Sequence, residues 1–138
     1  AAWALGRWIS PALSEFLAAQ DADFMVPIPS HWRARLSRGM DHVIEILRGT
    51  KTPVETALIL RKSRHTARQA GLPRHRRLGN VAKSFRVHGR WKSRIQGKRI
   101  VLVDDVATTL ATLHAAAEPL AECGCAAISA FAVARAEP

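Results

Sequence analysis

Residues 100–112 read IVLVDDVATTLAT, and this stretch decides the fold. Ile100–Val103 is apolar and rich in β-branched side chains, the composition of a strand buried on both faces of a parallel sheet. Asp104 and Asp105 follow, at the carboxyl end where open α/β sheets place their ligands. Thr108, Thr109 and Thr112 then line the turn into an Ala-rich helix, whose first free N–H groups attract an anion. Carboxylates suited to sugar hydroxyls, beside N–H groups suited to a phosphate, point to a ribose-phosphate pocket.

Elements placed outward from this stretch alternate between strand and helix, which predicts an α/β fold with a mostly parallel central sheet flanked by helices. Residues 3–19 show helical spacing of Trp3, Leu5, Trp8, Ile9, Leu13, Phe16 and Leu17, with a kink or restart expected at Pro11 and Ser10 as its cap. A short buried strand is expected over 23–27, a loop from Ile28 to Ser37, and a helix from about Ser37 to Arg48. A second strand is expected over Pro53–Leu60. Residues 61–80, RKSRHTARQAGLPRHRRLGN, combine many bases with few apolar anchors, so they are expected to form a long mobile loop. Val81–Val87 is expected to be extended and Arg90–Gly97 a polar connection. Beyond the central strand, a helix over Leu110–Cys123 should kink at Pro119 and end at Gly124. A final buried strand is expected over Ala126–Ala134.

The 138 residues suffice for a single domain with a real core. No apolar run reaches the roughly 18 residues that a membrane span needs. The opening segment lacks a basic n-region followed by a small-residue cleavage site, so it is not read as a signal peptide. Cys123 and Cys125 lie too close in sequence to bridge readily, which suits a reducing, cytoplasmic setting. The six histidines are scattered without metal-ligand spacing, so no protein metal site is expected. Net charge is +10, yet 19 of the 21 Lys and Arg fall within residues 31–99, against three acids there. Such asymmetry predicts a partner with dense negative charge.

Three blocks in order resemble the ComF/GntX type of phosphoribosyltransferase. They are VPIPSHWRARLSRGMDH (26–42), the spaced set Thr66, Gln69, Leu72, Arg77, Asn80 and Phe85, and IVLVDDVATTLATL (100–113). Receiver domains also carry an acid pair after a strand, but near their start, whereas only 33 residues follow Asp105 here. The resemblance covers the transferase domain alone, without the cysteine-rich zinc module that often precedes it.

The resemblance implies a type I phosphoribosyltransferase fold and phosphoribosyl pyrophosphate, or a related ribose phosphate, as ligand. Asp104 and Asp105 would hold the ribose hydroxyls as catalytic residues. Ala107, Thr108, Thr109, Leu110, Ala111 and Thr112 would cradle the 5′-phosphate. Pyrophosphate would lie by Pro27, Ile28, Arg33, Arg35 and Arg38, with Mg²⁺ bridging substrate oxygens. Lys62, Arg64, Thr66, Gln69, Arg77 and Asn80 belong to the basic loop that would close over the site. Two departures stand out: Leu110 takes the place of the family's loop glycine, and Asp41-His42 replaces Asn-Gln. The rival expectation is a non-catalytic competence-type protein on the same fold, assisting DNA uptake. It would bind single-stranded DNA, with Trp32, Phe85 and Trp91 stacking on bases, or a helicase-like partner.

Overall fold

The strand of residues 99–107 is the centre of the sheet in a computed structural model that describes residues 2–29, 42–63, 84–107 and 110–135. In chain order the elements are α1 (Ala2–Ala19), β1 (Phe24–Pro27), α2 (His42–Arg48), β2 (Glu55–Thr56), β3 (Leu60–Lys62) and β4 (Phe85–Val87). A short 3-10 helix (Gly89–Trp91), β5 (Arg99–Ala107), α3 (Leu110–Glu122) and β6 (Ala127–Arg135) complete them. β2, β1, β5 and β6 lie in that order in a sheet whose pairings are all parallel. β3 and β4 form a separate antiparallel ribbon.

Alternation along β5 builds a core on each face of the sheet. Ile100 and Leu102 pack with Val26, Ile28, Trp91, Ile95 and the α3 residues Ala116 and Leu120. Val101 and Val103 pack with Leu13 and Leu17 of α1, Met25, and Val43 and Leu47 of α2. α3 and the 3-10 segment therefore cover one face, and α1 and α2 the other. Each fully buried aliphatic side chain contributes about 1.5–3 kcal/mol, which makes this double layer the main source of stability. The expected α/β architecture is thus present.

Local expectations differ at several points, each for a physical reason. α1 runs unbroken through Pro11. Ser10 is inside the helix rather than at a cap: its hydroxyl donates to the Gly6 carbonyl and accepts the Lys51 N–H at 2.7 Å. Pro11 stands on the exposed face, where water can serve the carbonyl that its missing N–H leaves. α3 likewise stays helical through Pro119 to Glu122, and Gly124 ends it at φ 82°. The strand expected over 53–60 is split in two. The Ala57 N–H bonds the Met25 carbonyl, the chain bends as the Ile59 N–H reaches the Ala57 carbonyl, and Leu60 starts the ribbon.

Arg61 and Lys62, expected in the mobile loop, are strand residues of β3; residues 64–80 lie outside the described ones. Residues 90–97 are more than a polar connection, because they bury Trp91 and Ile95, and Trp91 meets Phe24 edge-on at 5.5 Å. β6 is an edge strand and only half-buried, since nothing among the described residues pairs with its outer side. The start expected for the second helix, Ser37, lies outside the described residues. Among the described residues no helix is long and apolar enough to cross a membrane. Both cysteines are free, and burial, then the neighbouring Cys123, pushes the Cys125 thiol up to about 11.

α1 and α2 touch backbone to backbone at two glycines. A Cβ at Gly6 would overlap the Ile46 carbonyl, and one at Gly49 the Trp3 carbonyl. No flexible side chain can yield there, so the helices must separate. Gly49→Ala is expected to cost about 1–3 kcal/mol, seen as a lower urea midpoint at unchanged slope. An unchanged midpoint would show that the two helices do not meet this closely.

Candidate functional site

β1 pairs with β5 from Phe24↔Ile100 to Pro27↔Val103, and the Ile28 N–H closes the ladder on the Val103 carbonyl at 2.9 Å. β5 continues for four more residues, paired on one side with β6 through Asp104↔Ala132, Val106↔Ala134 and Ala107↔Arg135. The acid pair therefore lies within the strand rather than after it, on a projecting end. Val106 and Ala107, β-branched and small, are the sequence signal of that continuation.

Strand order sharpens the location. From β1 the chain goes to β2 on one side, and the later strands β5 and β6 lie on the other. The order reverses between β1 and β5, and open α/β sheets bind ligands in the crevice at such a switch point, outside the carboxyl ends of the strands. Pro27 and Ile28 flank it from β1, and Asp104 and Asp105 from β5.

The two acids do not share a face. Alternation carries Asp104 on from Ile100 and Leu102, and Asp105 from Val101 and Val103. They straddle the end of the sheet, both half-exposed. Asp104 Oδ1 also accepts the Asp105 N–H at 2.9 Å, which turns that carboxylate back toward its own strand.

Two residues join β5 to α3, and these, Thr108 and Thr109, lie outside the described residues. Leu110, Ala111 and Thr112 form the first turn of α3, so part of the expected loop is helix. That turn carries backbone N–H groups with no partner inside the helix, and the positive end of the helix dipole. Leu110 is 67 % exposed, so its side chain points into solvent rather than filling the turn.

The structure thus brings together Pro27, Ile28, Asp104, Asp105, Ala107 and the first turn of α3. Lys62 is separate, on the β3–β4 ribbon. Arg33, Arg35, Arg38, Arg64, Thr66, Gln69, Arg77 and Asn80 lie outside the described residues. The stacking role expected for Phe85 and Trp91 is contradicted: they are 5 % and 7 % exposed and belong to the core. Trp32 is not among the described residues. The Arg94 guanidinium covers the Trp91 ring at 4.1 Å, which further closes it to a base.

The model of the phosphoribosyl transferase domain matches residues 35–138. The chain belongs to the phosphoribosyltransferase domain family. Among solved structures, the allosteric regulatory enzyme of purine biosynthesis aligns at TM-score 0.58 and 20% identity, over 96% of this chain and 25% of its own. The HGPRT-ase from Leishmania tarentolae in complex with GMP aligns at TM-score 0.42 and 14% identity, over 95% of this chain and 64% of its own. The first likeness shows the fold, and the chain spans only a quarter of that protein. No curated protein matches the chain in sequence.

The burial of Trp91 is directly measurable. A variant keeping it as the sole tryptophan (Trp3→Phe, Trp8→Phe, Trp32→Phe) is expected to emit at short wavelength and resist acrylamide quenching. Single-stranded DNA should leave that emission unchanged. Strong quenching by either agent would place Trp91 at the surface.

Proposed function

We propose that this chain binds phosphoribosyl pyrophosphate in the crevice between the ends of β1 and β5 and transfers its phosphoribosyl group. One observation carries the reading: two carboxylates stand on a projecting strand whose end, Ala107, lies two residues before the N-terminus of a 13-residue helix. Family membership supports it, and the ordered blocks around residues 26–42, 66–85 and 100–113 favour the ComF/GntX type within the family.

The chain's groups divide the ligand between them. Ionised Asp104 and Asp105 accept hydrogen bonds from the ribose 2′- and 3′-hydroxyls, one acid from each face of the strand end. Such charge-assisted bonds are about twice as strong as neutral ones. The free N–H groups at Leu110–Thr112, with Thr108 and Thr109, hold the 5′-phosphate. The backbone after Pro27 and Ile28, with Arg33, Arg35 and Arg38, faces the pyrophosphate. In this proposal the basic segment from Arg64 to Asn80, rather than Lys62 on the ribbon, closes over it and excludes water.

In the transfer, the bond from the anomeric carbon to pyrophosphate breaks and a bond to the acceptor forms. The electron pair leaves with pyrophosphate, and the sugar passes through a cation-like centre. The residues contribute position and preorganised charge rather than a covalent intermediate.

Mg²⁺ fits this donor set. Hard carboxylate oxygens stand at the crevice, and no cluster of three or more His, Cys, Asp or Glu able to hold a metal exists among the described residues. The ion would then take most of its ligands from substrate and water, as Mg²⁺ commonly does. When bound it neutralises pyrophosphate charge.

Calorimetric titration of the intact chain with phosphoribosyl pyrophosphate and Mg²⁺ is expected to show one saturable site. The Asp104→Ala, Asp105→Ala double variant should bind at least about tenfold more weakly. Leu110→Ala should bind like the parent, because the leucine points away from the turn. Absence of binding, or equal binding by the double variant, would overturn the proposal.

A further inference from the structure

The pairing of β3 with β4 sets Arg61 directly opposite Arg86. The register leaves no alternative: Leu60 and Val87 face the core, so the arginines share the outer face, and both are exposed. Like charges directly opposite in an antiparallel pair destabilise it. Neither arginine forms an ion pair with a described residue. The register therefore places two arginines side by side on the outer face of the ribbon, with no ion-paired carboxylate among the described residues.

These arginines line a cleft of about 630 Å³, a size typical of small-ligand sites. His88 and Lys92 add to the same lining, while Pro119 and Glu122 contribute from the last turn of α3. The cleft is thus chemically two-sided. The ribbon brings positive charge. α3 brings a carboxylate and the negative end of its helix dipole. His88 is half-buried, and its Nδ1 accepts the Arg90 N–H, so the neutral ring carries its proton on Nε2. Desolvation, then the charges of Arg61, Arg90 and Arg86, hold its pKa below the usual imidazole range. This cleft lies at the C-terminal end of α3, whereas the β1–β5 crevice adjoins its N-terminal end. The length of the helix, roughly 20 Å, separates them.

We propose that this cleft is a second ligand site, for a small phosphate ester that also carries an amino or hydroxyl group. Arg61 and Arg86 grip the phosphate as a pair of forks, the geometry at which guanidinium excels, and Lys92 adds charge. Glu122 and the end of α3 receive the donor group. A long nucleic-acid backbone fits less well, because its next phosphate would meet Glu122 and the helix end. Binding at this site does not depend on the proposed transferase reaction, since it shares no residue with the crevice.

The test is a titration of the full chain at low ionic strength with O-phosphoethanolamine or inorganic phosphate, following backbone amide shifts by NMR. Saturable shifts are expected at Arg86, His88, Gly89 and Glu122, apart from any at Leu110–Thr112. O-Phosphoethanolamine should bind about tenfold more tightly than phosphate, and Glu122→Gln should erase that advantage. Arg61→Gln with Arg86→Gln should abolish binding at these amides. The same double variant should melt above the parent when no ligand is present, because the repulsion is gone. Shifts confined to Leu110–Thr112, shifts that spread without saturating, or unchanged binding by the arginine variant would overturn the proposal.

Discussion

Pro27 is the last residue of β1 to pair with β5, and it pairs one residue before the acids begin. Everything at the candidate site depends on that register. It ends the pairing of β1 with β5 just before Asp104 and places the end of β1 next to the carboxylates. It also fixes which face each carboxylate occupies. A slip of one residue would exchange the faces, burying a charge among Leu13 and Met25 or setting Val103 in the crevice. The register is held from the opposite end of the sheet. The Asp23 N–H bonds the Arg99 carbonyl, Asp23 Oδ2 accepts the Arg99 N–H, and the Arg99 side chain reaches the Gln20 carbonyl, each at 2.8 Å. Two hydrophobic layers that accept only alternating residues do the rest.

Most of this was legible in the sequence because it follows from burial. Ile100–Val103 has no polar residue, so both faces had to be covered, and that implied a parallel sheet with helices on either side. The end of the apolar run at Asp104 located the site. The split of residues 53–60 was not legible. Ala57, Ile59 and Leu60 are all buried, but they serve different sheets, and periodicity cannot show a change of partner. Trp91 was misleading for a related reason. It stands among Arg90, Lys92 and Arg94, yet the 3-10 turn folds the ring into the core while the charges remain outside. Prolines 11 and 119 read as breaks, but each occupies a helix whose packing outweighs one lost hydrogen bond. The opposite faces of Asp104 and Asp105 became visible only with the strand's continuation to Ala107.

The charge asymmetry also gains a spatial meaning. Among the described bases, Arg61, Lys62, Arg86, Arg90, Lys92 and Arg94 belong to the ribbon and to the stretch 89–97 that follows it. The acids of the central strand mark the other end of the molecule's chemistry. α3 runs between them, its N-terminus by the carboxylates and its C-terminus by the ribbon's arginines. A helix places free donors at one end and free acceptors at the other, so each end suits a different part of a polar ligand. Under the two proposals, one end of α3 serves the sugar phosphate of the transfer reaction and the other a separate phosphate ester.

The central claim is that the crevice at the β1–β5 switch point is a sugar-phosphate site. A crystal structure of the chain soaked with ribose 5-phosphate tests it most directly. The sugar is expected over the projecting end of β5, its 2′- and 3′-hydroxyls within hydrogen-bond distance of Asp104 and Asp105, and its phosphate on the N–H groups that open α3. A sugar bound elsewhere, or one whose hydroxyls meet neither carboxylate, would contradict the claim.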